Sequence, residues 1–425
     1  MKILDSNKKN FYIELDKIIK KRKALDRITY KKVEKIINDV RINKEKALIY
    51  YEKKFNSNSQ IIPSKKEISQ AIKKLDPKIK KSIDEIFKGV KTWHLKQKPK
   101  DIYYKDKYNN KFYYKNKPIE SVACYVPGNL PSTLIMCATP ALISGVKRIV
   151  LCTPKLNGKL NGAVYYAASL LGIKECYSLG GASAIMALAT GTKKIKAVNK
   201  IVGPGSKWVA IAKKIIFLEG LCGVESANMG PSEILIWADS STSPDIAASS
   251  MIAQSEHDVG SMAILLTKDK SLIKKIKIIL SEQIKDLPRR KIVKKSLKNY
   301  GALIYVKNDN EILKITNYIS PEHIEILTKT YKKYLHNNII AGSICIGPYS
   351  SMALSDYGPT QHTLPTVSSA KFSSGLSVKD FLLQTSYNEL SKKGVAKLGK
   401  SGYLLSTFEN LIGHSRSIKK RMERK

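Results

Sequence analysis

The first hundred residues alternate apolar and basic positions at the spacing of an α-helix. In residues 3–55, for example, Phe11 and Leu15 fall on one face, and residues 65–98 repeat the pattern. Apolar residues three and four positions apart predict amphipathic helices, here with lysine-rich outer faces. Residues 101–118 are rich in Tyr, Lys and Asn and predict an exposed hairpin.

From Ile119 the pattern changes to short apolar runs that alternate with helical segments. Residues 121–126 and 233–238 are two of the expected buried strands. Repeated β-α units predict parallel sheets covered by helices, and we expect ligands at the carboxyl ends of such strands. Residues 347–375 are expected to form a long functional loop, and residues 376–425 a mainly helical tail.

The net charge changes this picture less than its size suggests. The chain has 425 residues, 43% of them hydrophobic, and a formal charge of +40, a value typical of nucleic-acid-binding proteins. Residues 1–118 carry +20 and residues 261–425 carry +17, whereas residues 119–260 carry only +3. The excess is diffuse, mostly lysine, and accompanied by abundant Asn and Ile. Lys, Asn and Ile have codons rich in A and T, so compositional drift in an A- and T-rich genome explains the positive charge better than a nucleic-acid-binding patch.

Compartment and redox chemistry follow from what the sequence lacks. It has no run of about 18 apolar residues and no apolar core of a signal peptide, so we expect a cytoplasmic protein without membrane partners. The six cysteines form no C-x-x-C pair, which argues against a disulfide scaffold and a thiolate zinc site.

Two histidines each lie close in sequence to an amide or a carboxylate with which they could share a ligand or a proton. Gln254 and His257 lie on one helix face at spacing i, i+3, with a polar helix end as the structural alternative. Glu322 and His323 offer adjacent proton acceptors of different basicity. The proline before Glu322 should hold Ser320 extended and begin a turn. A plain surface turn is the alternative for this pair.

Two further acid–histidine pairs lie late in the chain. Asp356 and His362 occupy the long loop, where functional residues are frequent. Glu409 and His414 lie in the predicted tail helix, whose alternative is a solvated face. Asp356 and His414, together with the amide and imidazole on the earlier helix, give two oxygen and two nitrogen donors. This set suits zinc or another first-row divalent ion, so the residues predict a metalloenzyme.

Two glycine-rich turns each precede a predicted helix and could face a phosphate. They are Gly180-Gly181 and Gly203-Pro-Gly205. The dinucleotide fingerprint G-x-G-x-x-G is absent, and such turns are more often plain connections. The residues alone therefore leave the cofactor open.

These segments, in this order, resemble the histidinol dehydrogenase family from about residue 120 to 415. The matching segments are Y-V-P-G at 125–128, P-S-T at 131–133, V-G-P-G at 202–205, G-P-S-E at 230–233, Q-S-E-H at 254–257, P-E-H-I-E-I at 321–326, A-G-S-I at 341–344, D-Y-G-P-T-Q-H-T-L-P-T at 356–366, F-S-S-G-L-S-V at 372–378 and E-N-L-I-G-H at 409–414.

The resemblance implies an α/β fold with two parallel-sheet domains, incomplete Rossmann-like and aldehyde-dehydrogenase-like, with small helical extensions at both ends. The implied divisions are a helical extension at 1–19, a catalytic domain at 20–124 and 233–376, an inserted NAD-binding domain at 125–232 and a helical tail at 377–425.

The resemblance also implies NAD-dependent oxidation of L-histidinol to L-histidine through L-histidinaldehyde, the last step of histidine biosynthesis. In it His323 is the general base and Glu322 activates water. One zinc or other divalent ion per subunit would be held by Gln254, His257, Asp356 and His414. The implied substrate contacts are Ser232, Gln254, His257, His323, Asp356, His362, Glu409 and His414, and the implied NAD contacts are Tyr125, Ser183 and Ser206.

Members of the family are known as homodimers in which the tail crosses to the partner, so Glu409 and His414 would complete the other subunit's site. Ser183 stands where the family usually has Gln, Ser206 where it has Asn, and Asn129 where it has Gly. We expect weaker NAD affinity with the chemistry intact. The alternatives are a related dehydrogenase of another amino alcohol and a basic nucleic-acid-binding protein without catalysis. The intact substrate and metal sets argue against both.

Overall fold

Three β-sheets organise the computed structural model, which describes residues 1–23, 27–225 and 230–424. The helices are α1 (Phe11–Lys23), α2 (Arg27–Asn56), α3 (Lys65–Lys73), α4 (Pro77–Leu95), α5 (Pro131–Ser144), α6 (Gly162–Leu170), α7 (Gly181–Thr190), α8 (Lys207–Leu218), α9 (Pro244–Ser255), α10 (Lys270–Gln283), α11 (Arg290–Tyr300), α12 (Asp309–Ile319), α13 (Met352–Ser355), α14 (Lys392–Phe408) and α15 (Ile412–Met422). The strands are β1 (Lys2–Asp5), β2 (Ile102–Lys105), β3 (Lys111–Pro118), β4 (Ser121–Tyr125), β5 (Arg148–Cys152), β6 (Glu175–Tyr177), β7 (Lys200–Val202), β8 (Gly223–Val224), β9 (Glu233–Ala238), β10 (Met262–Thr267), β11 (Gly301–Tyr305), β12 (His323–Ile326), β13 (Ser343–Ile346) and β14 (Leu382–Glu389).

The smaller parallel sheet has five strands in the order β6-β5-β4-β7-β8. Its central strand, β4, is buried along its whole length, so both faces need a helical cover. Helices α2, α7 and α8 cover one face, and α3 to α6 cover the other. The predicted β-α alternation is confirmed here.

The larger parallel sheet has six strands in the order β1-β11-β10-β9-β12-β13. Helices α9, α10 and α11 pack on one face, and α1 and α12 pack on the other. Strands β9 and β10 are fully buried, as their unbroken apolar runs predict. Among the described helices, none has both the length and the apolar character needed to cross a bilayer.

The packing differs from the expected domain boundaries at the amino-terminal end. Residues 20–124 were expected in the catalytic domain, but α2, α3 and α4 pack on the five-stranded sheet. The expected extension at 1–19 also contains β1, which extends the six-stranded sheet beside β11. A helical pattern shows which face of a helix is buried, but not which sheet buries it.

A third, antiparallel sheet lies apart from the two cores and has the order β14-β3-β2. Strands β2 and β3 confirm the hairpin expected at 101–118. Strand β14 was not expected in the helical tail, because its mostly polar sequence lacks an alternating apolar face and most of it is exposed. Helices α14 and α15 follow β14 and pack against each other.

Candidate active site

Glu322 and His323 lie at the amino end of β12, an interior strand of the six-stranded sheet. Both side chains are buried, and Glu322 Oε2 lies 3.7 Å from His323 Nδ1. The expectation that Ser320 is extended was wrong, because this residue has φ 46° and ψ 66° and ends α12 in the left-handed region. Its N–H donates to Thr316 O at 2.7 Å, so the last helical turn closes before the chain enters β12.

Burial dominates the electrostatics of this pair. Desolvation raises the pKa of Glu322 well above its usual range and lowers the pKa of His323 to about 3. Neither ring nitrogen of His323 has a well-aligned hydrogen-bond partner among the described residues. A buried imidazole whose nitrogens lack well-aligned partners can exchange a proton with a bound molecule.

Gln254 and His257 lie at the carboxyl end of α9. The Gln254 side chain is buried, and neither its amide oxygen nor its amide nitrogen has a partner among the described residues. His257 lies two residues beyond Ser255, the last residue of α9, is exposed, and donates its N–H to Gln254 O at 3.4 Å. A buried amide without partners is costly, and a ligand that takes its oxygen would remove that cost.

Asp356 and His362 meet in the long loop. Asp356 ends the short helix α13, and its backbone carbonyl lies 3.0 Å from His362 Nδ1, with its carboxylate at 4.0 Å from the same atom. Burial raises the pKa of Asp356 to about 7 and lowers that of His362 to about 4. A half-buried carboxylate with a raised pKa gains most from a nearby cation.

These pairs come together in one place. The charges of His257 and His362 act on His323, and the charge of Asp356 acts on Glu322. Imidazole and carboxylate groups therefore lie near one another, with the unpartnered amide of Gln254 three residues before His257, and the chemistry of this set fits zinc or a similar ion. No group of three His, Cys, Asp or Glu side chains suited to a metal is found within the described ranges.

The location of the pocket corrects an expectation. On the six-stranded sheet we expected ligands at the carboxyl ends of the strands, but Glu233, Met262 and His323 are the first residues of β9, β10 and β12. The site therefore lies at the amino edge of this sheet. Helix α9 runs back across the sheet and ends there, which brings its terminal amide and imidazole to the same edge.

The loop carrying His362 also contacts the other sheet's helices. Gln361 donates to Met136 O on α5 at 2.8 Å, and Thr363 Oγ1 lies 3.6 Å from Cys137 Sγ. The predicted NAD contacts lie at the carboxyl edge of the five-stranded sheet.

On that carboxyl edge, Tyr125 ends β4 and its hydroxyl accepts the N–H of Gly181 at 3.1 Å. Ser183 is buried in the first turn of α7, and Ser206 is exposed as the N-cap of α8. The Gly180-Gly181 turn is less open to an anion than its sequence suggests. The N–H of Gly180 donates to the buried Glu52 carboxylate at 2.9 Å, so both amides are used.

Glu409 and His414 lie outside this pocket in the chain as described. Both side chains are exposed, His414 on α15 and Glu409 at the carboxyl end of α14. The tail is attached to the hairpin: β14 pairs with β3, and the N–H of Ser391 donates to Asn110 Oδ1 at 2.9 Å. The structure thus brings Gln254, His257, Asp356, Glu322, His323 and His362 together, and leaves the tail pair facing outward.

The predicted substrate contact Ser232 lies next to buried charged residues that the sequence analysis did not single out. Ser232 precedes β9, and Glu233 is bonded to Arg22 and to Glu322. Glu325, on the same face of β12 as His323, accepts the N–H of Met352 at 2.6 Å. A signal was available, because an acid inside an apolar strand requires a buried partner.

The chain is similar to known proteins along its whole length. The family model described as "Histidinol dehydrogenase" matches residues 19–422. Histidinol dehydrogenase of Pelagibacter ubique is 49% identical over the full length of both chains, and that of Gluconobacter oxydans is 34% identical, also over both full lengths. The crystal structure of histidinol dehydrogenase from Elizabethkingia anophelis superposes with a TM-score of 0.93 at 30% identity, covering 100% of this chain and 98% of the other.

The family model and the relatives cover both parallel sheets, the long loop and most or all of the tail. The resemblance seen in the sequence, the α/β fold and the oxidoreductase class are confirmed. The chain belongs to the histidinol dehydrogenase family.

Proposed function

We propose that the protein oxidises L-histidinol to L-histidine in two NAD-dependent steps, through L-histidinaldehyde. The observation that supports this most is the buried Glu322–His323 pair beside Gln254, His257 and Asp356. Two oxidations at one carbon need a base used in both and a separate group that adds water between them. This pair offers one of each.

His323 is the proposed general base of both hydride transfers. In the first it takes the proton of the substrate hydroxyl as a hydride leaves the carbon for NAD, which forms the aldehyde. In the second it takes a hydroxyl proton of the hydrated aldehyde, which forms the carboxylate. Its ring is held by strand β12 and buried by its surroundings, so its position relative to the substrate is fixed.

Glu322 is the proposed acid–base group for hydration. It removes a proton from water as the water oxygen bonds to the aldehyde carbon, and the protonated His323 gives its proton to the carbonyl oxygen, which forms the diol and restores His323 as a base. Its carboxylate is fixed by the backbone N–H of Glu233 at 2.9 Å. Burial keeps bulk water away, so the aldehyde meets one positioned water and is not released.

Gln254, His257 and Asp356 are the proposed ligands of one zinc or other divalent ion, with His414 from a second copy as the fourth. When bound, the ion supplies a fixed point for the imidazole and amino nitrogens of the substrate. The proposed direct substrate contacts are Ser232, His323, His362 and Glu409, with the ligands Gln254, His257, Asp356 and His414 lying around the same molecule.

The proposed NAD site lies at the carboxyl edge of the five-stranded sheet, with contacts from Tyr125, Ser183 and Ser206. The active assembly is a homodimer with shared sites, because Glu409 and His414 face outward on a tail held away from their own chain's pocket. The proposed compartment is the cytoplasm, where histidinol and NAD meet.

The test is an assay of the purified full-length protein with L-histidinol and NAD, followed by NADH absorbance, with metal content measured in the same sample. We expect two NADH for each histidinol, loss of activity on chelation and recovery with zinc. Another amino alcohol serves as the comparator. Preference for that alcohol, or full activity in a metal-free sample, would contradict the proposal.

Shared sites have their own test. We expect His323→Ala and His414→Ala to be inactive separately and to regain activity when the two variants are mixed and their subunits exchange. If each subunit's tail served its own site, mixing would restore nothing.

A further inference from the structure

The guanidinium of Arg22 joins the first helix to the amino edge of the six-stranded sheet. Arg22 lies near the end of α1, and its side chain is 1% exposed. It donates to Gly260 O at 2.9 Å, and to Pro231 O and Ser232 O at 2.5 and 3.2 Å. Its Nη1 also donates to the carboxylate of Glu233. A planar group with five donors suits these four acceptors, whereas a lysine ammonium does not.

Glu233 connects this anchor to Glu322. The N–H of Glu322 donates to Glu233 Oε2 at 3.2 Å, and the N–H of Glu233 donates to Glu322 Oε2 at 2.9 Å. Glu233 Oε1 also accepts the N–H of Val367 at 3.1 Å. Each carboxylate is therefore fixed on the other's backbone, so a displacement of Glu233 displaces Glu322 as well.

The same arrangement places two carboxylates side by side in the interior. Glu233 and Glu322 are 2% and 6% exposed, and buried negative charge is costly unless a cation compensates it. Arg22 supplies that positive charge in direct contact with Glu233. Without it, Glu233 would lose its cation and its fixed orientation, and Glu322 would lose the carboxylate that accepts its backbone N–H.

We propose that Arg22 is a positioning residue that acts through Glu233 to hold Glu322 in place for hydration of the aldehyde. This inference rests on the proposed function. It assigns Arg22 to one half of the reaction: the first hydride transfer does not require Glu322, whereas the second follows hydration. Loss of Arg22 should therefore affect the second NADH much more than the first.

The experiment uses metal-loaded full-length enzyme with excess NAD and limiting L-histidinol, and follows NADH formation in a single turnover. For Arg22→Lys, we expect the first NADH at the wild-type rate and the second slowed by about 10- to 100-fold, with transient accumulation of histidinaldehyde. Glu322→Gln should give the same pattern. Glu233→Gln is the second variant, and it keeps the arginine while weakening the connection.

Arg148→Lys is the matched control. Arg148 also binds one carboxylate, that of Glu175, and the backbone carbonyls of Lys196 and Ala197, but at the amino edge of the five-stranded sheet. We expect both NADH phases to stay at wild-type rates in this control.

Equal slowing of both phases in Arg22→Lys and Glu233→Gln, or no slowing, would overturn the role of Arg22 and leave the proposed function standing. If wild-type protein formed no NADH from histidinol, the proposed function would fall and this role with it. The two failures are thus distinguished by the wild-type trace alone.

Discussion

A buried ion pair between Lys213 and Glu225 braces the turn that leads to the proposed NAD contact Ser206. The Lys213 and Glu225 side chains are 1% and 3% exposed, and Lys213 Nζ lies 2.8 and 3.1 Å from the two carboxylate oxygens. Both residues also hold Gly203: Lys213 donates to its carbonyl at 2.5 Å, and Glu225 accepts its N–H at 2.9 Å. Position 203 itself must be glycine, because its φ is +111° and a Cβ there would lie 2.1 Å from Tyr125 O. The turn is therefore held by its neighbours Lys213 and Glu225 and not by a side chain of its own.

We expect Lys213→Met to destabilise the fold strongly. Breaking a buried pair leaves an uncompensated charge, which costs about 3–5 kcal/mol. Adding Glu225→Gln removes that charge while the Gln oxygen can still accept the N–H of Gly203. The double variant then lacks mainly one partner for the Gly203 carbonyl, a loss of about 1–3 kcal/mol. It should therefore be about 2 kcal/mol more stable than Lys213→Met alone.

The assay is urea unfolding of the wild type, both single variants and the double variant, combined with steady-state kinetics. A double variant more stable than Lys213→Met, with a raised KM for NAD and an unchanged KM for histidinol, is the expected result. If the losses of the two single variants simply add, the ion pair does not act as a unit. If the KM for histidinol rises as much as that for NAD, the turn does not serve the cofactor.

Three further outcomes test separate parts of the structure. Glu325→Gln should weaken metal binding about 10- to 100-fold in equilibrium dialysis, because Glu325 accepts the N–H of Met352 on α13, the helix that ends at the proposed ligand Asp356. Unchanged affinity would exclude this support. Burial raises the pKa of Glu52 to about 7, so the folded state binds the proton more tightly than the unfolded state. The contribution of Glu52 to the free energy of unfolding should therefore fall by about 3 kcal/mol between roughly pH 4.5 and pH 7. Glu52→Gln should lack this loss, and urea–pH curves that run parallel for the wild type and the variant would refute the assignment. Ser206→Asn, at an exposed N-cap, should lower the KM for NAD about 2- to 10-fold through one added hydrogen bond, and an unchanged KM would remove Ser206 from the site.

The elements of the fold were largely predictable because their patterns are local. Apolar runs such as those of β9 and β10 must be buried on both faces, and this alone predicts helices on each side. The partner sheet of α2 was not predictable, since the same apolar face would fit either core. Strand β14 was missed because its pairing with β3, and not its hydrophobicity, makes it a strand.

The residues of the proposed site could be singled out from the sequence, whereas their geometry could not. The pair Glu322–His323 and the residues Gln254 and Asp356 were singled out, yet their convergence depends on α9 and the long loop returning to the amino edge of one sheet. Local pattern does not encode such a return. Buried acids inside apolar strands, such as Glu325, were the one local signal left unused.

Surface lysines and buried cations differ in what they cost the fold. This difference distinguishes lysines that arise from compositional drift from cations that have a structural role. A lysine on the surface costs little, because water and salt screen its charge. A charge in the interior persists only with a partner, and Lys213 is the one lysine among the described residues that is fully buried, with its carboxylate in contact. Arg22 is buried in the same way against Glu233. The +40 net charge therefore reflects surface positions at which a lysine costs little stability. The buried Lys213 and Arg22 instead hold specific groups in place: the turn at Gly203 and the proposed catalytic carboxylate of Glu322.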